Sequence, residues 1–230
     1  MLPTSKRWFP ALVGERLWFP DPNLAVPSGP CAGLVALGGD FSVERLLLAY
    51  RGGIFPWTDE PITWWSPEPR AIFELDQFHV PTSLAKILKR GAFQVTIDRA
   101  FREVMEGCAE PRPGREHTWV TKNFIDAYTR LHKLGHAHSL ECWMNGRLVG
   151  GIYGVAIGGF FAGESMFHRV DNASKVALAR LVQHLRARDY ALFDTQLLTP
   201  ITQRLGAINI PRREYLRRLA DALKLPRTFL

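Results

Sequence analysis

From residue 71 onward the apolar positions repeat with a period near 3.6 in some stretches and near two in others, and the chain divides into elements accordingly. In Thr82–Arg90, Leu84, Ile87 and Leu88 share one face while Lys86, Lys89 and Arg90 share the other, which predicts an amphipathic helix with a basic outer stripe. The same spacing predicts a helix over 98–106, with Phe101, Val104 and Met105 inward, and another over 121–134, with Phe124, Ile125, Tyr128 and Leu131 inward. Gly107 and Gly135 suit their carboxyl-terminal caps. Period two then takes over. Strands over 137–144, 147–157 and 160–167, joined by Asn145-Gly146 and Gly158-Gly159, read as an antiparallel meander. Asn172 or Ser174 caps a helix that turns Leu178, Leu181, Val182 and Leu185 inward, and a strand over 190–196 follows. Thr199-Pro200, Gly206 and Pro211 predict two closing helices, the second over 212–223.

The first 70 residues are different, being rich in Pro, Gly and Trp. One helical pattern follows Ser42, with Leu46, Leu47 and Tyr50 on one face and Gly52-Gly53 at its end. The prolines between residues 54 and 70 remove backbone donors and restrict the residues before them, so this stretch is expected as an ordered aromatic loop. The whole predicts an α+β fold in two parts: a small N-terminal α/β domain over 1–70, and over 71–230 a domain with an antiparallel-rich sheet flanked by helices. That order is compatible with the acyltransferase (GNAT-like) fold of acetyltransferases.

Composition narrows the picture. At 230 residues, 47% hydrophobic and 22% charged, the chain is globular, and disorder and low complexity are excluded. The net charge of +7 suits a polyanionic partner, or simply a solubilising surface. Cys31, Cys108 and Cys142 are odd in number and widely spaced, which fits a reducing cytosol rather than a disulfide framework. Lys6 and Arg7 are not followed by an apolar segment, and the apolar stretch 149–162 falls short of the roughly 20 residues a membrane helix needs. Neither secretion nor a membrane span is expected.

Two strands carry polar residues among apolar neighbours. Alternation sends Glu164, Met166 and His168 to one side of their strand and Ser165 and Phe167 to the other. Glu164 then either receives a cationic substrate, or faces solvent or a nearby Arg. Asp194 and Gln196 fall on one face at the end of the strand Ala191-Leu192-Phe193. They can orient an amine, with Asp194 accepting its proton, or cap the helix that follows. His132, His136 and His138 lack a fourth ligand at zinc spacing, and Cys108 stands among acidic neighbours that raise a thiol pKa. Trp57, Trp64, Trp65 and Trp119 stand in Pro-rich or polar segments, where they either stack on exposed bases or pack the two domains together.

Six runs, in order, closely resemble the leucyl/phenylalanyl-tRNA-protein transferase family. They are Gly33-Leu34-Val35-Ala36-Leu37-Gly38-Gly39-Asp40, Tyr50-Arg51-Gly52-Gly53-Ile54-Phe55-Pro56-Trp57, Trp64-Trp65-Ser66-Pro67-Glu68-Pro69-Arg70, His136-Ala137-His138-Ser139, Gly163-Glu164-Ser165-Met166-Phe167 and Asn172-Ala173-Ser174-Lys175. The likeness spans about residues 19–215. It implies transfer of Leu or Phe from Leu-tRNA or Phe-tRNA to proteins with an N-terminal Arg or Lys, marking them for N-end rule degradation; an uncharged pocket discriminates weakly, so some Met acceptance is also expected. It implies a cytoplasmic enzyme without metal or cofactor, expected as a monomer. By resemblance Glu164, Asp194 and Gln196 are the active-site polar residues, Trp57 and Trp119 hold the aminoacyl-adenosine, and Ile152, Phe161, Ala162 and Leu178 form the side-chain pocket. Lys86, Lys89 and Arg90 match part of a tRNA-binding patch. Thr82, Thr195, His168 and Ile201 depart from the family pattern, where a basic residue, Cys, Ser and His respectively occur. Two other readings compete. An acetyl-CoA enzyme needs a glycine-containing pyrophosphate loop, which residues 167–175 lack, and a simple RNA-binding module gives Glu164 and Asp194 no purpose.

Overall fold

Two strands of the first sheet arise within residues 54–70, the stretch expected as loop. In the computed structural model, which describes residues 10–111 and 118–230, the chain runs β1 (Ala11–Val13), β2 (Leu34–Gly38), α1 (Val43–Arg51), β3 (Phe55–Asp59) and β4 (Ile62–Trp65). Lys6 and Arg7 lie outside the described residues. The four strands pair in the order β1-β2-β4-β3, so Pro56 falls on an edge strand, which tolerates a missing donor, and Pro61 falls in the turn between β3 and β4. Aromatic content and edge position thus overrule the prolines. The helix after Ser42 forms as expected, with the Ser42 hydroxyl accepting from Arg45 N at 3.3 Å.

The rest of the chain continues with β5 (Arg70–Phe73), α2 (Thr82–Arg90), β6 (Gln94–Ile97), α3 (Phe101–Ala109) and α4 (Lys122–Lys133). The meander is β7 (Ala137–Met144), β8 (Arg147–Ile157) and β9 (Phe160–His168). It is followed by α5 (Ala173–Ala187), β10 (Leu192–Gln196), α6 (Pro200–Arg204), β11 (Ala207–Ile210) and α7 (Arg212–Ala222). Seven strands form one sheet in the order β11-β5-β10-β9-β8-β7-β6, antiparallel except for β9 and β10. One face packs on α5 and α2 through Ile152, Phe161, Leu178 and Phe193. The other packs on α3, α4 and α7, and its core runs on without a break into α1 and the first sheet through Tyr50, Phe55 and Trp64. The expected α+β order therefore holds.

Some details differ from expectation. β6 and β11 were not anticipated; each has four residues and lies at an outer edge of the sheet, too short to show a period. α3 starts three residues late because Asp98, at φ 57°, turns to accept from Ser139 N at 2.8 Å and to meet His138 Nδ1 at 2.7 Å. Gly107 is no cap but lies inside α3, where a Cβ would stand 2.7 Å from the Phe167 ring. Trp64 is fully buried and donates to Gly38 O at 2.8 Å, so it packs the core instead of meeting bases.

Two bulges interrupt the sheet beside each other. The β8–β9 register passes from Gly154↔Gly163 to Tyr153↔Ser165, which leaves Glu164 as an extra residue. The β10–β5 register passes from Asp194↔Ile72 to Gln196↔Ala71, which leaves Thr195 extra and puts Gln196 at φ 60°. Strict alternation is therefore broken at both places. Glu164 does not share a face with Met166: Met166 packs on the α5 side, and Glu164 turns towards Tyr128 of α4.

Candidate active site

β9 and β10 pair only as far as Ala162↔Asp194, and beyond that point both strands bulge and part. Across the gap the Gln196 amide donates to Glu164 Oε1 at 2.7 Å. The Tyr128 hydroxyl donates to Glu164 Oε2 at 3.5 Å and is itself hydrogen-bonded to the Tyr50 hydroxyl. Every one of these partners is neutral, and among the described residues no cation lies within ion-pair distance of Glu164. Burial pushes its carboxyl up to about 8; the Asp194 charge adds to the rise, while hydrogen bonding from the Tyr50–Tyr128 hydroxyl pair and from Gln196, together with the Arg70 charge, opposes it. These surroundings favour the neutral acid over the carboxylate.

Asp194 has no open face. Its Oδ1 accepts from Arg70 Nε at 2.9 Å and from Gln196 N at 2.8 Å; its Oδ2 accepts from Arg70 Nη2 at 2.7 Å and from the Tyr215 hydroxyl at 2.8 Å. Arg70 and Asp194 are both essentially inaccessible, at 1% and 0% exposure. Both oxygens of Asp194 are thus engaged within the fold, and the next helix is capped by Thr199 instead. Its local effect is to fix the backbone of Gln196.

The gap opens into a cavity on each side of the sheet. One, of about 210 Å³, lies on the α5 side and is walled by Phe73, Ile152, Met166, Leu178 and Phe193. The other, of about 230 Å³, lies towards the first sheet and is walled by Phe55, Pro56, Trp57 and Trp119. Glu164, Thr195, Leu197 and Thr199 line both. Trp57 is held edge-on by Trp65 at 5.1 Å and Trp119 by Phe124 at 5.2 Å, so both partly exposed rings are fixed in place. An apolar chamber and an aromatic chamber therefore meet at one carboxyl group. That arrangement can seat a planar ring on one side, an uncharged side chain on the other, and a cation between them.

Comparison with known proteins decides the family. The profile described as "Leucyl/phenylalanyl-tRNA protein transferase" matches residues 72–220, and that of its N-terminal domain matches 39–68. The leucyl/phenylalanyl-tRNA-protein transferase of Anaeromyxobacter sp. (strain Fw109-5) is 52% identical over 90% of this chain and 88% of its own. That of Aeromonas hydrophila subsp. hydrophila is 45% identical over 96% of this chain and 94% of its own. The chain belongs to the leucyl/phenylalanyl-tRNA-protein transferase family. It is therefore an aminoacyltransferase. Among solved structures it is similar to L-PGS from Bacillus licheniformis (13% identity, TM-score 0.40, 72% of this chain and 54% of that one). It is also similar to a GCN5-related N-acetyltransferase from Kribbella flavida (13%, TM-score 0.38, 71% and 59%).

In this transferase Glu164, Gln196, Trp57, Trp119, Ile152 and Leu178 all line one or other of the two cavities. Phe161 and Ala162 do not line the pocket. Phe161 stands behind it, 5.5 Å from the Phe193 ring, and Ala162 faces the opposite core. Lys86, Lys89 and Arg90 are exposed on the outer face of α2, as their spacing predicts. Phe73, Phe193, Arg70, Tyr50, Tyr128 and Tyr215 were not picked out from the sequence, although Phe73 and Phe193 each end an apolar run that pairs across β5 and β10. Of the histidines, His132 Nδ1 lies 2.8 Å from Ala137 O and His138 Nδ1 2.7 Å from Asp98, so both are engaged within the fold.

Proposed function

We propose that this enzyme transfers Leu or Phe, and also Met, from aminoacyl-tRNA to the N-terminal Arg or Lys of acceptor proteins. The transfer marks them for N-end rule degradation in the cytoplasm. Residues 1–70 serve as the domain that supplies Phe55, Pro56 and Trp57 of the aromatic wall, and 71–230 as the domain that supplies Trp119 and the reacting groups. One chain bounds both cavities, which suits a monomer. The observation that carries the reading is the meeting of the two cavities at Glu164.

The terminal adenosine would lie against Trp57 and Trp119, and the aminoacyl side chain in the chamber of Ile152, Met166 and Leu178. Apolar walls discriminate by only about 1 to 3 kcal/mol per methylene, which allows Leu, Phe and Met together. The ester is already activated. The acceptor's free α-amine, with a pKa of about 7.7 to 8.0, attacks the ester carbonyl; an amide C–N bond forms, the C–O bond to the ribose breaks, and the amine proton passes to the departing ribose oxygen. Gln196 orients the amine, and most of the acceleration comes from positioning. Glu164 recognises the acceptor's cationic side chain: an arriving Arg or Lys favours its ionisation, the proton passing to solvent, and adds a charge-assisted hydrogen bond beside the one from Gln196. Asp194 takes no direct part in that recognition, because all its acceptor directions are occupied.

Lys86, Lys89 and Arg90 would meet tRNA phosphates. Supporting this, α2 forms the rim of a cleft of about 710 Å³ that adjoins the apolar chamber at Met166 and carries Lys175 and Arg204. The test is transfer of labelled Leu from charged tRNA to a protein with an N-terminal Arg. Label is expected on that protein and not on one whose α-amine has been acetylated. Equal labelling of both would overturn the proposal, and transfer from acetyl-CoA instead would select the acetyltransferase reading.

A further inference from the structure

We propose that Arg70 is a positioning residue of the transfer reaction, acting through Asp194 to hold the Gln196 amide against Glu164. The inference rests on the function proposed above and adds to it a residue that touches no substrate. Gln196 is placed by its backbone, which adopts φ 60°, a left-handed conformation unfavourable for a residue with a side chain. What holds it there is the bond from Gln196 N to Asp194 Oδ1, and the same oxygen accepts from Arg70 Nε. Arg70 therefore sets the position of the very atom on which the Gln196 turn closes. Its fork leaves Asp194 one orientation, since Nη2 takes the other oxygen at 2.7 Å together with the Tyr215 hydroxyl.

Arg70 is itself fixed. Its Nη1 donates to Gly53 O at 3.2 Å, and its guanidinium lies over the Tyr215 ring at 4.5 Å and the Phe55 ring at 4.8 Å. The Gly53 contact ties it to the segment that continues into Phe55 and Trp57, so one side chain connects the aromatic wall to the reacting amide. A buried ion pair is seldom more stable than an apolar pair of the same size, which leaves geometry as the advantage of placing one here. Charge gives a second consequence: without Arg70, the Asp194 carboxylate would face Glu164 uncompensated and disfavour its ionisation further.

The test compares Tyr215→Phe, Arg70→Lys and Arg70→Ala with the wild type, each checked for folding by thermal melting. Tyr215→Phe removes the hydrogen bond donated to Asp194 and the one accepted from Arg70 Nη2 at 3.3 Å, and keeps the ring; kcat for Leu transfer is expected to fall about 3- to 10-fold with KM for Leu-tRNA unchanged. Arg70→Lys keeps the charge and loses the fork; kcat is expected to fall about 10- to 100-fold. In Arg70→Ala the acid limb of the pH profile of kcat should move to higher pH, and added methylguanidinium should restore part of the rate. Folded Tyr215→Phe and Arg70→Lys variants with wild-type kcat, or a loss confined to KM, would overturn the inference, and these two variants decide it even where Arg70→Ala fails to fold. Failure of the wild type to transfer Leu at all would instead overturn the underlying reading and this inference with it.

Discussion

Glu164 is a half-buried carboxyl group without a cation of its own, and that has a measurable consequence for stability. Its carboxyl is raised from the ordinary value near 4.5 to about 8, so between those values the folded chain binds a proton that the unfolded chain releases. Linkage then requires stability to fall as pH rises through this window. Replacing Glu164 by Gln removes the titration while preserving a hydrogen-bonding group of the same size. The variant should be more stable than wild type at pH 8, by roughly 2 kcal/mol once partial solvent access from the two cavities is allowed for, and nearly equal to it at about pH 4, below the ordinary value, where the carboxyl is mostly neutral folded or unfolded. Thermal melts at the two pH values check this; a constant difference between the proteins would show that Glu164 is not the titrating group. Asp194, unlike Glu164, has a cation of its own, since Arg70 lies against it. Two carboxylates 30 residues apart in the chain are thus handled differently by one guanidinium, which belongs to the first and only tempers the second.

At the scale of elements, what the sequence disclosed followed from length and from turns. α1, α2, α4, α7 and the meander β7–β9 were legible because each has a sustained period or an Asn-Gly or Gly-Gly pair at its end. Glu164, Asp194 and Gln196 were legible as polar residues in apolar strands. Their mutual contact was not, because it depends on two bulges, and an added residue in a strand leaves no mark in composition. Arg70, Tyr50, Tyr128 and Tyr215 were hidden for another reason: a tyrosine on the apolar face of a helix reads as core, and its hydroxyl shows a partner only once the opposing element is in place. Gly107 misled in the same way. Its role as a space for Phe167 is tertiary, and this predicts the sign of a substitution. Gly107→Ala gains about 1 kcal/mol of helix propensity but drives a Cβ to 2.7 Å from a fully buried ring, so a net loss of about 1 to 3 kcal/mol is expected. A melt showing Gly107→Ala more stable than wild type would mean that Phe167 yields freely.

Across the whole molecule the first sheet, the seven-stranded sheet and the helices between them share one core, so the aromatic wall and the reacting groups are held in fixed relation. Over this frame the charge of +7 is distributed unevenly enough for α2 to present three cations on one exposed face. If those contact phosphates, replacing Lys86, Lys89 and Arg90 together by Ala should weaken tRNA binding and flatten the dependence of log Kd on log salt by roughly 2, with acceptor KM unchanged. An unaltered salt slope would place the RNA elsewhere. The account depends most heavily on Glu164 as the group that reads the acceptor's positive charge, and one comparison isolates it. Single-turnover transfer of Leu can be measured to two peptides that differ only in an N-terminal Arg or its uncharged analogue citrulline, with wild type and with Glu164→Gln. Wild type should favour Arg by about a hundredfold, in the range expected when a charged group loses its partner, and Glu164→Gln should bring the two rates close together. An Arg preference that survives the substitution intact would contradict the account.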